Sequence, residues 1–83
     1  MPPTRPETIT VFDAVLSGLT TRAAASSWAA PWIGDREREV DDLALFEALT
    51  HLVGADLRHG GGDPYLFTEA QISQWKVELL AAP

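Results

Sequence analysis

The chain of 83 residues is 46% hydrophobic and carries 12 acidic against 6 basic side chains, a formal net charge of −6. This length fits one small domain and not two, and the lack of cysteine excludes disulfides and cysteine-based zinc sites. No apolar run approaches the about 20 residues of a membrane span, nor does the first segment resemble a secretory signal. We therefore expect a cytoplasmic protein.

The basic residues are scattered and form no run: Arg5, Arg22, Arg36, Arg38, Arg58 and Lys76. Nucleic-acid binding rests on clustered cations that release counterions, so the charge pattern predicts that no nucleic acid is bound. An anionic membrane is disfavoured for the same reason. A basic protein would instead be attracted to this surface, although acidity also serves solubility alone.

Three prolines within residues 1–7 predict a short, mobile, extended arm, so that the single helical domain comprises residues 8–83. A first helix is predicted from Thr8, with Gly18 in the position of a left-handed cap. Thr20 or Thr21 can cap a second helix, which is rich in alanine and ends near Pro31.

The third helix is the most apolar segment of the chain. Asp41 or Asp42 can cap it, and it runs to about Val53 before Gly54. Its apolar residues cover half of the circumference, which places this helix at the centre of the domain. The half predicted to be exposed contains Ala44, Glu47, Ala48 and His51.

Glycines 60–62 and Pro64 predict a turn before the last helix. Residues 57–58 and 65–66 could pair across it as a two-residue β-ladder. Thr68 and Gln71 match a capping box, so the last helix is predicted to begin at Glu69 and to end at residue 80 or 81.

These elements predict an all-α fold, a small antiparallel bundle of three to four short helices with an optional minimal β-ladder near the glycine-rich turn. The predicted core consists of Phe12, Val15, Leu16, Trp28, Leu45, Phe46, Leu49, Leu52, Ile72, Trp75 and Leu79.

The sequence contains few candidate catalytic residues. Glu47 and His51 are four residues apart on one helix and could orient an imidazole or hold a metal, but a solvated pair explains them as well. The triple glycine lacks the lysine and hydroxyl residue of a phosphate-binding loop. The aspartates do not match a calcium loop. We therefore predict a protein that is not an enzyme and that uses neither cofactor nor metal.

Residues 35–42, the acidic segment, contain five carboxylates and two arginines, a net charge of −3, just after Trp32. An acidic patch beside an aromatic side chain provides electrostatic steering and an anchor, as at protein interfaces. The predicted partner-binding residues are Trp32, Asp35, Glu37, Glu39, Asp41 and Asp42; the alternative is a solvated loop beside a core tryptophan.

The stretch Val11-Phe12-Asp13-Ala14-Val15-Leu16-Ser17-Gly18-Leu19-Thr20-Thr21, in an acidic helical chain of this size, resembles the openings of small bacterial immunity proteins of the colicin D type. The resemblance implies a four-helix bundle that occludes the basic active site of a nuclease toxin with its carboxylates. It therefore favours a toxin-neutralising protein, as a monomer or homodimer, with a basic nuclease as partner. The alternative is a small accessory or regulatory subunit of a larger assembly.

Overall fold

The computed structural model describes residues 1–58 and 65–83. Over these residues the chain is mainly helical and has no strand, which confirms the all-α class. The predicted glycine-rich turn lies outside the described residues. The helices are α1 (Arg5–Ser17), α2 (Arg22–Ala29), α3 (Leu43–Val53) and α4 (Glu69–Ala81), with short 3-10 turns at Ala30–Trp32 and Glu37–Glu39.

Helix α1 begins three residues before the predicted start at Thr8. Thr4 is its N-cap, and its hydroxyl accepts from the amide of Glu7 while the Glu7 carboxylate accepts from the amide of Thr4. Pro6 stands in the first turn, where its missing N–H costs nothing. Residues 5–7 of the predicted extended arm are therefore helical.

The other helix ends follow the predicted capping residues. Gly18 ends α1 in the left-handed conformation with φ of 82°. Thr21 caps α2 and Asp42 caps α3, each accepting a hydrogen bond from a first-turn amide. Thr68 and Gln71 form the capping box of α4, as predicted.

Helix α3 lies at the centre: like α1 it contacts each of the other three helices, and it has the most buried residues of the four. The predicted core residues Phe12, Leu45, Leu49, Leu52, Ile72 and Leu79 are buried, whereas Val15, Leu16, Trp28, Phe46 and Trp75 are only half-buried. Ala48, predicted to be exposed, is buried, and so are Ala25, Ala29 and Ala55. Small side chains let the helices approach closely, which covers these alanines.

A single antiparallel bridge joins Arg58 to Tyr65. Beside it the amide of Leu66 donates to the carbonyl of Leu57 at 2.8 Å. The predicted β-ladder is thus reduced to one bridge among the described residues, and the antiparallel order of the helices stays a prediction. None of the helices in the described part is long and apolar enough to cross a membrane.

Candidate functional site

Three of the six basic side chains are held in ion pairs within the described part of the chain. In each pair the positive charge is cancelled locally by a carboxylate, which leaves little of it to attract an anion at a distance. The pairs are Arg5 with Asp42, Arg36 with Glu39 and Lys76 with Asp13.

Two further arginines converge on one aromatic ring. The guanidinium carbons of Arg22 and Arg58 lie 4.1 and 4.3 Å from the centre of the Tyr65 ring. Each distance is that of a cation–π contact, in which the negative face of the ring attracts the cation. We call these three residues the Tyr65 cluster. It brings together two positive charges that are 36 positions apart in the sequence.

Arg22 also binds the backbone on both sides of the bridge. Its Nη1 donates to the carbonyl of Phe67 at 2.6 Å and to that of Ala55 at 3.3 Å. One turn farther along α2, the hydroxyl of Ser26 donates to the carbonyl of Val53 at 2.7 Å. The bonds to Val53 and Ala55 satisfy carbonyls at the C-terminal end of α3, where a positive charge also suits the helix dipole.

The Tyr65 cluster and the acidic segment lie at opposite ends of α3. Asp42, the last residue of the segment, caps the N-terminus of α3, whereas Arg22 binds Ala55 just beyond its C-terminus. Eleven helical residues separate the two ends by about 16 Å. Because the Debye length at physiological ionic strength is about 8 Å, the acidic residues at that end are largely screened from the cluster.

The six predicted partner-binding residues differ in their exposure and in the contacts they make within the structure. Trp32 is half-buried against the edge of the core, with Arg36 over its ring at 4.5 Å. Asp42 is occupied as the α3 cap and as the partner of Arg5. Glu39 is paired with Arg36, whereas the exposed Asp35, Glu37 and Asp41 form no ion pair or helix cap with the described residues.

Hydrogen bonding lowers the pKa of two of these carboxylates, Asp42 and Glu39. The Arg5 guanidinium, together with the amides at the start of α3, holds the pKa of Asp42 below its usual value. The Arg36 guanidinium does the same to the pKa of Glu39. Both groups therefore stay ionised in mild acid.

Of the Glu47 and His51 pair, Glu47 is exposed and His51 is half-buried against α4. The His51 ring stacks on Trp75, with ring centres 4.6 Å apart and planes 9° from parallel. Glu47 and His51 line a groove of about 380 Å³ between α3 and α4, together with Glu78. Within residues 1–58 and 65–83, no group of three or more histidines and carboxylates is placed to hold a metal ion.

Comparison with known proteins identifies a different family from the one predicted. The model of a family described as YxzC DNA-binding protein matches residues 4–79. The chain is 32% identical over 69 residues to the uncharacterized protein YxzC of Bacillus subtilis (strain 168). That match covers 83% of this chain and 56% of the relative, so the chain spans about half the length of the curated relative that it matches. No solved structure matches.

The resemblance to colicin D immunity proteins is therefore wrong, and with it the prediction of a toxin-neutralising protein with a basic nuclease as partner. The helix, glycine turn and helix at residues 11–21 occur in many helical hairpins and do not identify one family. The comparisons do not support the alternative of an accessory subunit either. The prediction that no nucleic acid is bound is also overturned by the family description.

The prediction against nucleic acid rested on the lack of a run of basic residues, but a fold can bring together cations that are distant in the sequence. Arg22 begins α2 and Arg58 follows α3, and only the packing of α2 on α3 makes them neighbours. The available signal was Tyr65, an aromatic residue across the predicted turn from Arg58.

Proposed function

Because the chain belongs to the YxzC DNA-binding protein family, we propose that it binds DNA and that the Tyr65 cluster contacts the sugar-phosphate backbone. The observation that carries the proposal is the convergence of Arg22 and Arg58 on one tyrosine ring. Guanidinium groups recognise phosphate oxygens through a planar fork of N–H donors.

Arg58 is the member of the cluster best placed to reach a phosphate. Arg58 is exposed, whereas Arg22 and Tyr65 are half-buried. A tyrosine hydroxyl beside it can donate a second hydrogen bond to the backbone of DNA. These contacts position a protein on DNA without reading its sequence, so the proposal is for binding that depends little on base sequence.

The net charge of −6 limits the part of the surface that can approach DNA. Each phosphate that is neutralised contributes about −0.9 to the slope of log K against log salt. A site with one or two contacts therefore has a shallow slope and belongs at the weak end of non-specific binding, on the order of 10⁻⁴ M at physiological salt. The affinity should therefore fall by about 8- to 60-fold between 20 and 200 mM salt.

The test is fluorescence anisotropy of a labelled 20-base-pair duplex, titrated with the protein from 20 to 200 mM NaCl. Arg58→Gln should weaken binding at 20 mM and reduce the steepness of the salt slope by about one. The matched control is Arg38→Gln, which removes the same charge from an exposed arginine in the acidic segment and should change the affinity much less.

Two results would count against the proposal in different ways. If the wild-type protein leaves the anisotropy unchanged at 20 mM salt and millimolar protein, this chain does not bind duplex DNA. If it binds but Arg58→Gln and Arg38→Gln are affected equally, DNA binding stands and the Tyr65 cluster is the wrong surface.

A non-enzymatic role in the cytoplasm is part of this proposal. The exposed Glu47 and the stacked His51 support it, since a ring held flat against Trp75 serves packing. Bacterial chromosomal DNA lies in the cytoplasm, the location predicted from the sequence.

A further inference from the structure

We infer that Arg22 is a positioning residue for DNA binding: it fixes the backbone on both sides of the Arg58–Tyr65 bridge and thereby holds Arg58 toward the phosphates. The inference rests on the proposed function and divides the roles within the Tyr65 cluster. Arg58 makes the contact, and Arg22 determines where Arg58 and Tyr65 lie.

The hydrogen bonds of Arg22 support this role. Its Nη1 binds two carbonyls from different segments, at Ala55 before the bridge and at Phe67 after it. Arg58 follows the first carbonyl by three residues, and Tyr65 precedes the second by two. A single guanidinium therefore anchors both chain segments at the point where they enter and leave the bridge.

The bridge needs such an anchor. A two-stranded pairing is marginal in water even when it is several residues long, and here the described residues form one isolated bridge. Besides the anchor, Arg22 lies over the Tyr65 ring at 4.1 Å. The ring, the two carbonyls and the start of α2 are thus joined through one half-buried side chain.

The role cannot be filled by charge alone. A lysine ammonium is one compact group without a planar face or a fork, so it does not reproduce two carbonyl bonds and a stacked ring together. Arg58 also lies over the Tyr65 ring, at 4.3 Å, but its proposed contact with DNA needs charge, and a phosphate accepts an ammonium as well as a guanidinium. Lysine should therefore substitute well at position 58 and poorly at position 22.

The experiment compares four variants in the duplex titration at 20 mM NaCl: Arg22→Lys, Arg22→Gln, Arg58→Lys and Arg58→Gln. We expect Arg58→Lys to recover most of the affinity that Arg58→Gln loses. We expect both Arg22 variants to lose affinity by at least fivefold and to a similar extent. Far-UV circular dichroism should show that all four retain the helical fold.

A second measurement does not depend on DNA. The Leu66 amide donates to Leu57 beside the bridge, so its hydrogen exchange reports whether the bridge is formed. Exchange at Leu66 should be at least tenfold faster in Arg22→Lys and nearly unchanged in Arg38→Lys, which alters an exposed arginine outside the Tyr65 cluster. Exchange of the Leu49 amide in the buried part of α3 should be the same in both, which excludes general unfolding.

The outcomes separate the two proposals. If Arg22→Lys binds DNA like the wild type and keeps slow exchange at Leu66, Arg22 contributes only charge and the positioning role is wrong. If Arg22→Gln lowers the salt slope by about one while Arg22→Lys restores it, Arg22 is itself a phosphate contact. If the wild type does not bind DNA, the proposed function fails, and the Leu66 exchange rates still decide whether Arg22 holds the bridge.

Discussion

Arg5 and Asp42 form a two-point ion pair between segments 37 residues apart, with Nε to Oδ2 at 2.6 Å and Nη2 to Oδ1 at 2.8 Å. The same guanidinium donates to the carbonyls of Ala82 and Pro83, each at 3.0 Å. It therefore joins the first turn of α1, the N-cap of α3 and the end of α4. The predicted mobile arm is thus anchored by its fifth residue.

Replacing Asp42 should separate its two tasks. Asp42→Ala removes both the cap and the ion pair, and the cap alone is worth about 1 kcal/mol of unfolding free energy. Asp42→Asn keeps a good capping side chain and removes the charge, so it should cost less. Urea unfolding followed by circular dichroism measures both, with exposed Asp41→Ala as the control. Equal losses for the two Asp42 variants would show that capping contributes nothing here.

The stability should fall in acid in a way that Asp42 controls. Its pKa lies below the ordinary value because it accepts hydrogen bonds from Arg5, so the unfolded chain takes up a proton at higher pH than the folded one. The stabilisation is fully present above an unfolded-state pKa of about 3.9. It is lost as pH falls through the lower folded-state pKa.

We therefore expect the stability difference between wild type and Asp42→Asn, measured by urea unfolding, to be clear at pH 6 and to shrink as the pH falls below about 3.9. Glu39 follows the same direction through Arg36, and Glu39→Gln provides a second comparison. A difference for Asp42→Asn that stays constant over this range would mean that the charge of Asp42 plays no part.

Two neighbouring leucines of α4 provide a matched test of the core. Leu79 is 3% exposed and Leu80 is 62% exposed. Leu79→Ala should lower the unfolding free energy by about 2–5 kcal/mol through lost burial and a cavity. Leu80→Ala should stay within about 0.5 kcal/mol. Thermal unfolding is sufficient for the comparison, and a large effect at Leu80 would instead indicate that this face is covered in solution.

Substitution of Gly18 and Gly34 distinguishes the effect of backbone strain on stability from the effect of steric contact. Gly18 has φ of +82° and Gly34 does not adopt positive φ, yet a Cβ at either position would meet nothing within 4 Å. Gly18→Ala should therefore destabilise by about 1 kcal/mol through the left-handed conformation alone. Gly34→Ala should be neutral or slightly stabilising. Urea unfolding of the pair checks this, and equal effects would contradict the assigned cap at Gly18.

The separation of charges along α3 predicts a salt-dependent contrast in DNA binding. Asp56→Asn removes a carboxylate next to Ala55, to which Arg22 binds, whereas Asp41→Asn removes one at the other end of α3. At 10 mM salt the Debye length is about 30 Å, so both variants should bind the duplex more tightly. At 150 mM only Asp56→Asn should, by anisotropy. Equal behaviour of the two at 150 mM would refute the separation.

The helices could be predicted from the sequence because their ends are determined locally. Thr21, Asp42 and Thr68 cap through contacts with amides three residues away, and a left-handed glycine needs no distant partner. Helix α1 begins earlier than predicted because Pro6 falls in the first turn, where proline is tolerated. Ala48 is buried, contrary to the prediction, because close helix packing covers small side chains as well as the large apolar ones that define an amphipathic pattern.

The candidate site could not be predicted in the same way. Neither the position of Arg22 on α2 nor that of Arg58 after α3 shows that the two guanidiniums share a ring. Their positions depend on how α2 packs against α3 and on the hydrogen bonds of Arg22 to the carbonyls of Ala55 and Phe67. Because every residue has a backbone carbonyl, the identities of residues 55 and 67 do not predict these bonds. Charge counts alone favoured the acidic segment, whose carboxylates are partly occupied by capping and ion pairing.

The placement of opposite charges at the two ends of α3 also gives the molecule an electric dipole moment. In the field of a polyanion such a molecule experiences a torque that turns its acidic pole outward and the Tyr65 cluster inward. Orientation before contact raises the share of encounters in which the correct face meets the duplex. If the chain binds DNA as proposed, this rotation turns the Tyr65 cluster toward the duplex even though the net charge of −6 repels the molecule as a whole.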